Sequence, residues 1–114
     1  AGMAYEQFMV DGGYDMVLSP TMSRVPDKIG VLSLNPDDMA AYTAAVTTFA
    51  PWCAISNQAG NAAMSVPLHW TAENLPIGMM FGARCGNEWE LYQLAGQLER
   101  AAPWAHRKPP IWVG

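Results

Sequence analysis

Asn57-Gln58-Ala59-Gly60-Asn61-Ala62-Ala63-Met64-Ser65-Val66-Pro67 is the stretch on which the reading of this chain turns. Its second half, Ala62 to Val66, is a short apolar run of strand type, and Pro67 is expected to stop it. Downstream, Pro76-Ile77-Gly78-Met79-Met80-Phe81-Gly82 reads as a second strand. The connection from Leu68 to Leu75 is polar and contains Glu73-Asn74, so the two runs predict an antiparallel hairpin. Asn74 is its best candidate for a left-handed backbone, because asparagine tolerates positive φ better than most residues.

Working outward, the clearest helix lies beyond the hairpin. Asn87 is placed to cap it, Glu88 and Glu90 sit in its first turn, and Arg100 lies near its end. Leu91, Leu94, Ala95, Leu98 and Ala102 form a stripe at helical spacing. Pro103 follows, and the tail from Arg107 to Pro110 reads as extended. Upstream, Asn35-Pro36-Asp37-Asp38 predicts a helix start, with Asn35 as cap. That helix runs to about Phe49, with Met39, Tyr42, Val46 and Phe49 on one face, and Pro51 ends it. Ala1 to Val10 has helical character with Gly12-Gly13 as a stop, and Met16-Val17-Leu18 suits a short buried strand. Thr21 to Leu34 is loop-like. The expectation is a single α/β domain over residues 1–114, with about three strands and two or three helices.

Composition narrows the function. The chain has 114 residues, 51% hydrophobic and only 14% charged, against roughly 25% charged in typical soluble domains. A surface that is normally covered by more protein would account for that; a rich core would too. The formal net charge is −4, and no basic stripe is present to neutralise phosphates, so nucleic acid is not an expected partner. No apolar run approaches the roughly 20 residues of a membrane span, and no leader is visible. Cys53 and Cys85 read as reduced, mostly buried thiols rather than a disulfide scaffold. His69 and His106 alone cannot furnish a zinc site, so neither a metal nor a cofactor is expected.

Nucleophilic chemistry finds no complete site. None of the five serines (Ser19, Ser23, Ser33, Ser56, Ser65) lies in a G-x-S-x-G elbow or an S-x-x-K pair. Spacing links none of the candidate bases His69, His106, Lys28 and Lys108 to a serine. His69, beside Trp70, reads as a surface loop residue more readily than a pocket lining, and His106 as a residue of the basic tail. Met79 and Met80 read as facing opposite layers of a core. Trp89, Trp104 and Trp112 suit either an interface or the packing of the last helix and tail.

The opening stretch also resembles a segment near the C-terminus of amidase-signature hydrolases. There the pattern is Asn, two variable residues, Gly, a variable residue, Pro or Ala, Ala, then an apolar strand ending in Pro. Further matches follow in the family's order. Leu75 to Gly82 is similar to the family's glycine-containing strand. Glu88 to Trp104 is similar to its closing helix, with Leu-Ala-Gly-Gln-Leu-Glu at 94 to 99. Tyr14-Asp15-Met16-Val17-Leu18-Ser19-Pro20-Thr21 is similar to a strand ending in a proline-threonine pair. Two positions depart: Asn61 stands where small or flexible polar residues are usual, and Asn74 where glycine is common.

The resemblance implies a C-terminal piece of the family's large mixed sheet with helices on both sides. It implies amide hydrolysis by a lysine, a bridging cis serine and a nucleophilic serine, all upstream of the region seen here. No catalytic residue carries over. The subgroup includes enzymes acting on linear or cyclic amides, such as hydrolases of the 6-aminohexanoate cyclic dimer. This portion would supply scaffold and pocket wall, with Pro20, Thr21, Trp52 and Asn57 as substrate-facing candidates; Asn57 reads slightly more readily as a turn residue bonded to its own backbone. The implied partners are the N-terminal part of the amidase, a small amide substrate in the full enzyme, and a second copy of the chain through an exposed edge and apolar face. The implied location is cytoplasmic. A stand-alone binding module derived from the same fold is the alternative.

Overall fold

The computed structural model describes residues 1–34 and 36–112. The elements are α1 (Gly2–Gly12), β1 (Val17–Pro20), a single 3-10 turn (Pro36–Asp38), α2 (Met39–Phe49), α3 (Pro51–Ala59), β2 (Ala63–Trp70), β3 (Pro76–Gly82) and α4 (Glu88–Ala101). The three strands form one antiparallel sheet in the order β1-β3-β2. The α/β class and the three strands are as expected. The expected two or three helices become four among the described residues, because Pro51 both closes α2 and opens α3. A proline at the first helical position costs no hydrogen bond, since that N–H would be unpaired anyway.

Pairing alternates along the central strand. Thr21 N–H donates to Gly78 O at 3.0 Å and Ala83 N–H to Ala62 O at 2.8 Å. Even-numbered residues of β3 therefore bond toward β1 and odd-numbered ones toward β2. Pro20 and Pro67 then both fall at outward-facing positions, where a missing N–H breaks no ladder bond. This is why Pro67 does not stop its strand. β2 continues past it to Trp70, with a register shift between Pro67 and His69. His69 accordingly lies in a strand, exposed, rather than in the loop. Asn74 takes φ 65°, as expected for the turn.

The two faces of the sheet are covered from opposite sides. Gly82 faces α1, where a Cβ would lie 2.6 Å from the Tyr5 hydroxyl. On the other face Leu91 of α4 packs with Ala62 and Ala83, and Met16, Met64 and Phe81 close round them. The α4 stripe faces this side, with Leu91 buried and Leu94, Ala95 and Leu98 half-buried, while Ala102 is exposed. Asn87 occupies the capping position of α4 but makes no side-chain capping bond; Glu88, Glu90 and Arg100 flank the helix dipole as expected. At α2 the cap is Asp38, which accepts from Ala41 N–H at 3.0 Å; the expected cap Asn35 lies outside the described residues. Met9, Ala62, Val66, Met80, Ala83 and Leu91 are the buried apolar residues among those described. Cys53 is half-buried but Cys85 is exposed, contrary to the expectation of two buried thiols; the turn at Gly86 carries it outward.

This core is small for the chain. The accessible surface is 8029 Å², against about 6,100 Å² for a compact monomer of this mass. The radius of gyration is 16.5 Å, against about 13 Å for a compact domain of this length. Large apolar side chains contribute to that surface: Met3, Phe8, Val10, Leu18, Ile29 and Trp89 are all more than half exposed.

Candidate functional site

Thr21 stands where three strands and a helix meet. Its N–H extends the β1–β3 pairing to Gly78 O, and its Oγ1 lies 2.6 Å from Ser65 Oγ on β2. The Cys53 thiol of α3 donates to Thr21 O at 3.4 Å. Gly78 makes the hydroxyl pair feasible, because a Cβ there would sit 2.7 Å from both oxygens. One hydroxyl donates to the other, so the pair retains one free O–H and several lone pairs for a further group.

Trp52, in the first turn of α3, lines a small cavity between α1, α3 and the sheet. Tyr5, Val17, Ser19, Ile55, Met80 and Gly82 border it, and its volume is about 70 Å³. Drug-sized ligand pockets occupy roughly 300 Å³ or more, so this cavity alone does not hold an amide substrate. Burial pushes the Tyr5 phenol above its ordinary value, and the adjacent Glu6 carboxylate adds to the effect; the phenol is therefore a neutral hydroxyl beside Gly82. Glu6 accepts from Arg84 Nε at 2.9 Å and from Cys85 N–H at 2.7 Å, tying α1 to the β3–α4 connection. Those two bonds hold the Glu6 carboxyl below its ordinary value.

The four sequence candidates are only partly gathered. Thr21 and α3 meet through Cys53, next to Trp52. Pro20 is exposed at the end of β1, paired with Met79. Asn57 lies within α3 and is exposed, so the turn reading of it does not hold. Five residues along a helix separate Trp52 and Asn57 by roughly 140°, so the two do not share a face. Ser65 and Gly78 were not among the expected wall residues. A glycine inside a strand does signal a close approach, and that signal was available for Gly78; nothing comparable marked Ser65. Met79 and Met80 do lie on opposite faces, with Met80 buried.

An antiparallel sheet layered between helices, with a hydroxyl pair at a strand end, is an α/β arrangement. The sequence description of the Amidase family matches residues 3–92, and the chain belongs to that family. It is 34% identical over 99 residues to the putative amidase AmiC of Mycobacterium tuberculosis, covering 87% of this chain and 20% of that protein. It is 33% identical over 106 residues to the 6-aminohexanoate-cyclic-dimer hydrolase of a Pseudomonas species, covering 89% and 22%. The solved structure of a 6-aminohexanoate cyclic dimer hydrolase superposes with a TM-score of 0.71 at 29% identity, covering 91% of this chain and 23% of that one. The chain thus spans about a fifth of the length of the relatives it matches.

Proposed function

We propose that this chain is the C-terminal structural and pocket-wall portion of an enzyme that hydrolyses carbon–nitrogen amide bonds, with a Lys–cisSer–Ser triad supplied by the rest of that enzyme. The observation that carries the reading is the match to a fifth of full-length amidases, joined to the surface this chain leaves open. The excess over a compact monomer is about 1,900 Å², more than the roughly 800 Å² one partner contributes to a standard interface. The serine and lysine contacts within the chain support this reading. Ser23 Oγ donates to Thr48 O, Ser65 pairs with Thr21, and Lys108 lies over the Trp112 ring. Among the described residues no serine is hydrogen-bonded to a lysine or histidine.

Thr21 is the wall residue of this reading, with Pro20 and Trp52 beside it and Asn57 the weakest of the four. Alone, the chain associates with itself through the same open surface. No helix among the described residues is long and apolar enough to cross a membrane, and we place the full enzyme in the cytoplasm. The test is co-expression of this chain with the upstream part of an amidase, followed by a fluorophosphonate serine probe and an anilide substrate. The expected label falls on the upstream part and turnover requires both. A stoichiometric adduct on Ser19, Ser23, Ser33, Ser56 or Ser65 of the isolated chain would overturn the assignment. Tight, saturable binding of a partner by the isolated chain, with no rescue of turnover, would favour the stand-alone module.

A further inference from the structure

At the turn end of the hairpin a second feature stands apart from the hydroxyl pair. A groove of about 640 Å³ runs between the end of β2, the hairpin turn and the tail after α4; His69, Trp70, Thr71, Asn74, His106 and Arg107 border it. The chain carries 10 carboxylates and only 2 histidines, yet both histidines line this groove and no carboxylate does. Glu73, the one acidic residue of the turn, is not among the lining residues.

Arg107 is held in place from two sides. Its guanidinium lies over the Trp70 ring, 4.1 Å from the centroid, and one of its Nη groups donates to Asn74 Oδ1 at 3.4 Å. Stacking fixes the plane of the guanidinium and leaves its edge, where the donors lie, directed sideways. One donor is committed to Asn74 and the rest of the fork is available. The scaffold behind it is also fixed. Thr71 N–H donates to Leu75 O at 3.0 Å, Asn74 N–H to Thr71 O at 2.9 Å, and Leu75 N–H to Thr71 Oγ1 at 3.2 Å. On the tail, Arg107 N–H donates to Trp104 O at 2.9 Å and closes the turn that carries His106.

We propose that this groove is a binding site for a small oxyanion, a carboxylate or a phosphate, gripped by the Arg107 guanidinium with the His69 and His106 imidazoles alongside. A planar fork matches two oxygens of such a group at once, and a point charge does not. The stack on Trp70 shields one face of the guanidinium from water and lowers the entropy lost when the anion is held. The inference does not depend on the amidase reading, since every group involved belongs to this chain.

The experiment is a titration of the 114-residue chain with inorganic phosphate, and separately with acetate, at constant ionic strength. The readout is the NMR signals of the His69 and His106 imidazoles and the Arg107 Nε–H. Saturable shifts confined to these groups are expected with at least one of the two anions, which also identifies the preferred class. Arg107→Ala should weaken binding about tenfold or more, the scale of a charged hydrogen bond. Arg107→Lys should recover only part of it, because the charge remains and the fork is lost. His106→Gln, which leaves the Arg107 side chain and its stack on Trp70 in place, provides a second reading if Arg107→Ala perturbs the tail. Shifts that stay linear to the highest concentration, shifts spread over the whole surface, or saturation unchanged in both Arg107→Lys and His106→Gln would overturn the proposal.

Discussion

The hairpin with α4 and the excursion from Thr21 to Ala59 are both rich in apolar side chains, and they bury them very differently. The first unit places Ala62, Val66, Met80, Ala83 and Leu91 out of water. In the second, no described residue between 21 and 59 is fully buried, and Met22, Val25, Ile29, Val31, Leu34, Met39 and Ile55 are exposed. Local structure forms equally well in both. α2 is capped by Asp38, and its C-terminal carbonyls are met by Ser23, through N–H to Phe49 O at 2.9 Å and Oγ to Thr48 O at 2.8 Å. Capping and hydrogen bonding thus build the excursion without giving it a core. The difference shows that secondary structure here is locally encoded and forms without a core of its own beneath it.

The sharpest way to break this contrast is to truncate one side chain in each unit. Leu91→Ala removes the centre of the cluster formed with Ala62 and Ala83, and should cost about 2–5 kcal/mol in denaturant unfolding. Val46→Ala, in the half-buried stripe of α2, should cost about 1 kcal/mol or less, because its surroundings are already partly wet. Equal costs would mean that the excursion shares the core after all.

A second substitution probes the layer between α1 and the sheet. Gly82→Ala places a Cβ 2.6 Å from the Tyr5 hydroxyl and 3.3 Å from Asn61 Nδ2, and should destabilise by about 1–3 kcal/mol. Tyr5→Phe removes the closest of those atoms. The double variant should therefore lie closer to wild type than the sum of the single changes, by at least about 0.5 kcal/mol. Strict additivity would show that α1 does not rest on the sheet at Gly82.

What the sequence disclosed follows the same division. The hairpin, its Asn74 turn and α4 were legible because short apolar runs, turn chemistry and a 3.6-residue stripe all agree there. α3 was not, because Pro51 reads first as a stop and only the fold shows it as a start. Pro67 misled in a similar way: a proline ends a strand only when its missing N–H was needed, and edge position is a tertiary fact. At the candidate wall, Thr21 could be named from the Pro-Thr pair, but its partner Ser65 lies 44 residues away, in contact only because β1 and β2 flank the same strand. Asn57 shows the converse, since a residue inside a recognisable pattern is not among those that line the cavity beside Trp52.

A smaller effect concerns the clasp between α1 and the β3–α4 connection. The Glu6 carboxyl is held below its ordinary value, so the ionised form is favoured by the fold. A carboxylate of that kind contributes stability above its unfolded pKa and loses it as pH falls through the folded one. Acidification should therefore loosen α1 before the hairpin unit unfolds, and Glu6→Gln should flatten that part of the pH profile. Hydrogen exchange at α1 amides, compared with α4 amides from neutral to acid pH, reads the effect directly. An identical acid response of α1 in Glu6→Gln would remove the clasp from the account.

The smallest change in stability belongs to the residue that decides most about cover. Ile29 is fully exposed, in a loop whose neighbours Val25 and Val31 are exposed as well. Replacing it with serine removes no contact within the chain, so Ile29→Ser should leave the unfolding free energy within about 0.5 kcal/mol of wild type. The same change should reduce self-association in sedimentation experiments, because an apolar side chain left in water gains by meeting another apolar surface. The two readouts separate the alternatives. A large loss of stability would place Ile29 in a core that the fold does not show. Unchanged association together with unchanged stability would mean that the loop from Thr21 to Leu34 is simply solvated, and that the cover lies over α1 and the β1 edge, where Met3 and Leu18 are exposed.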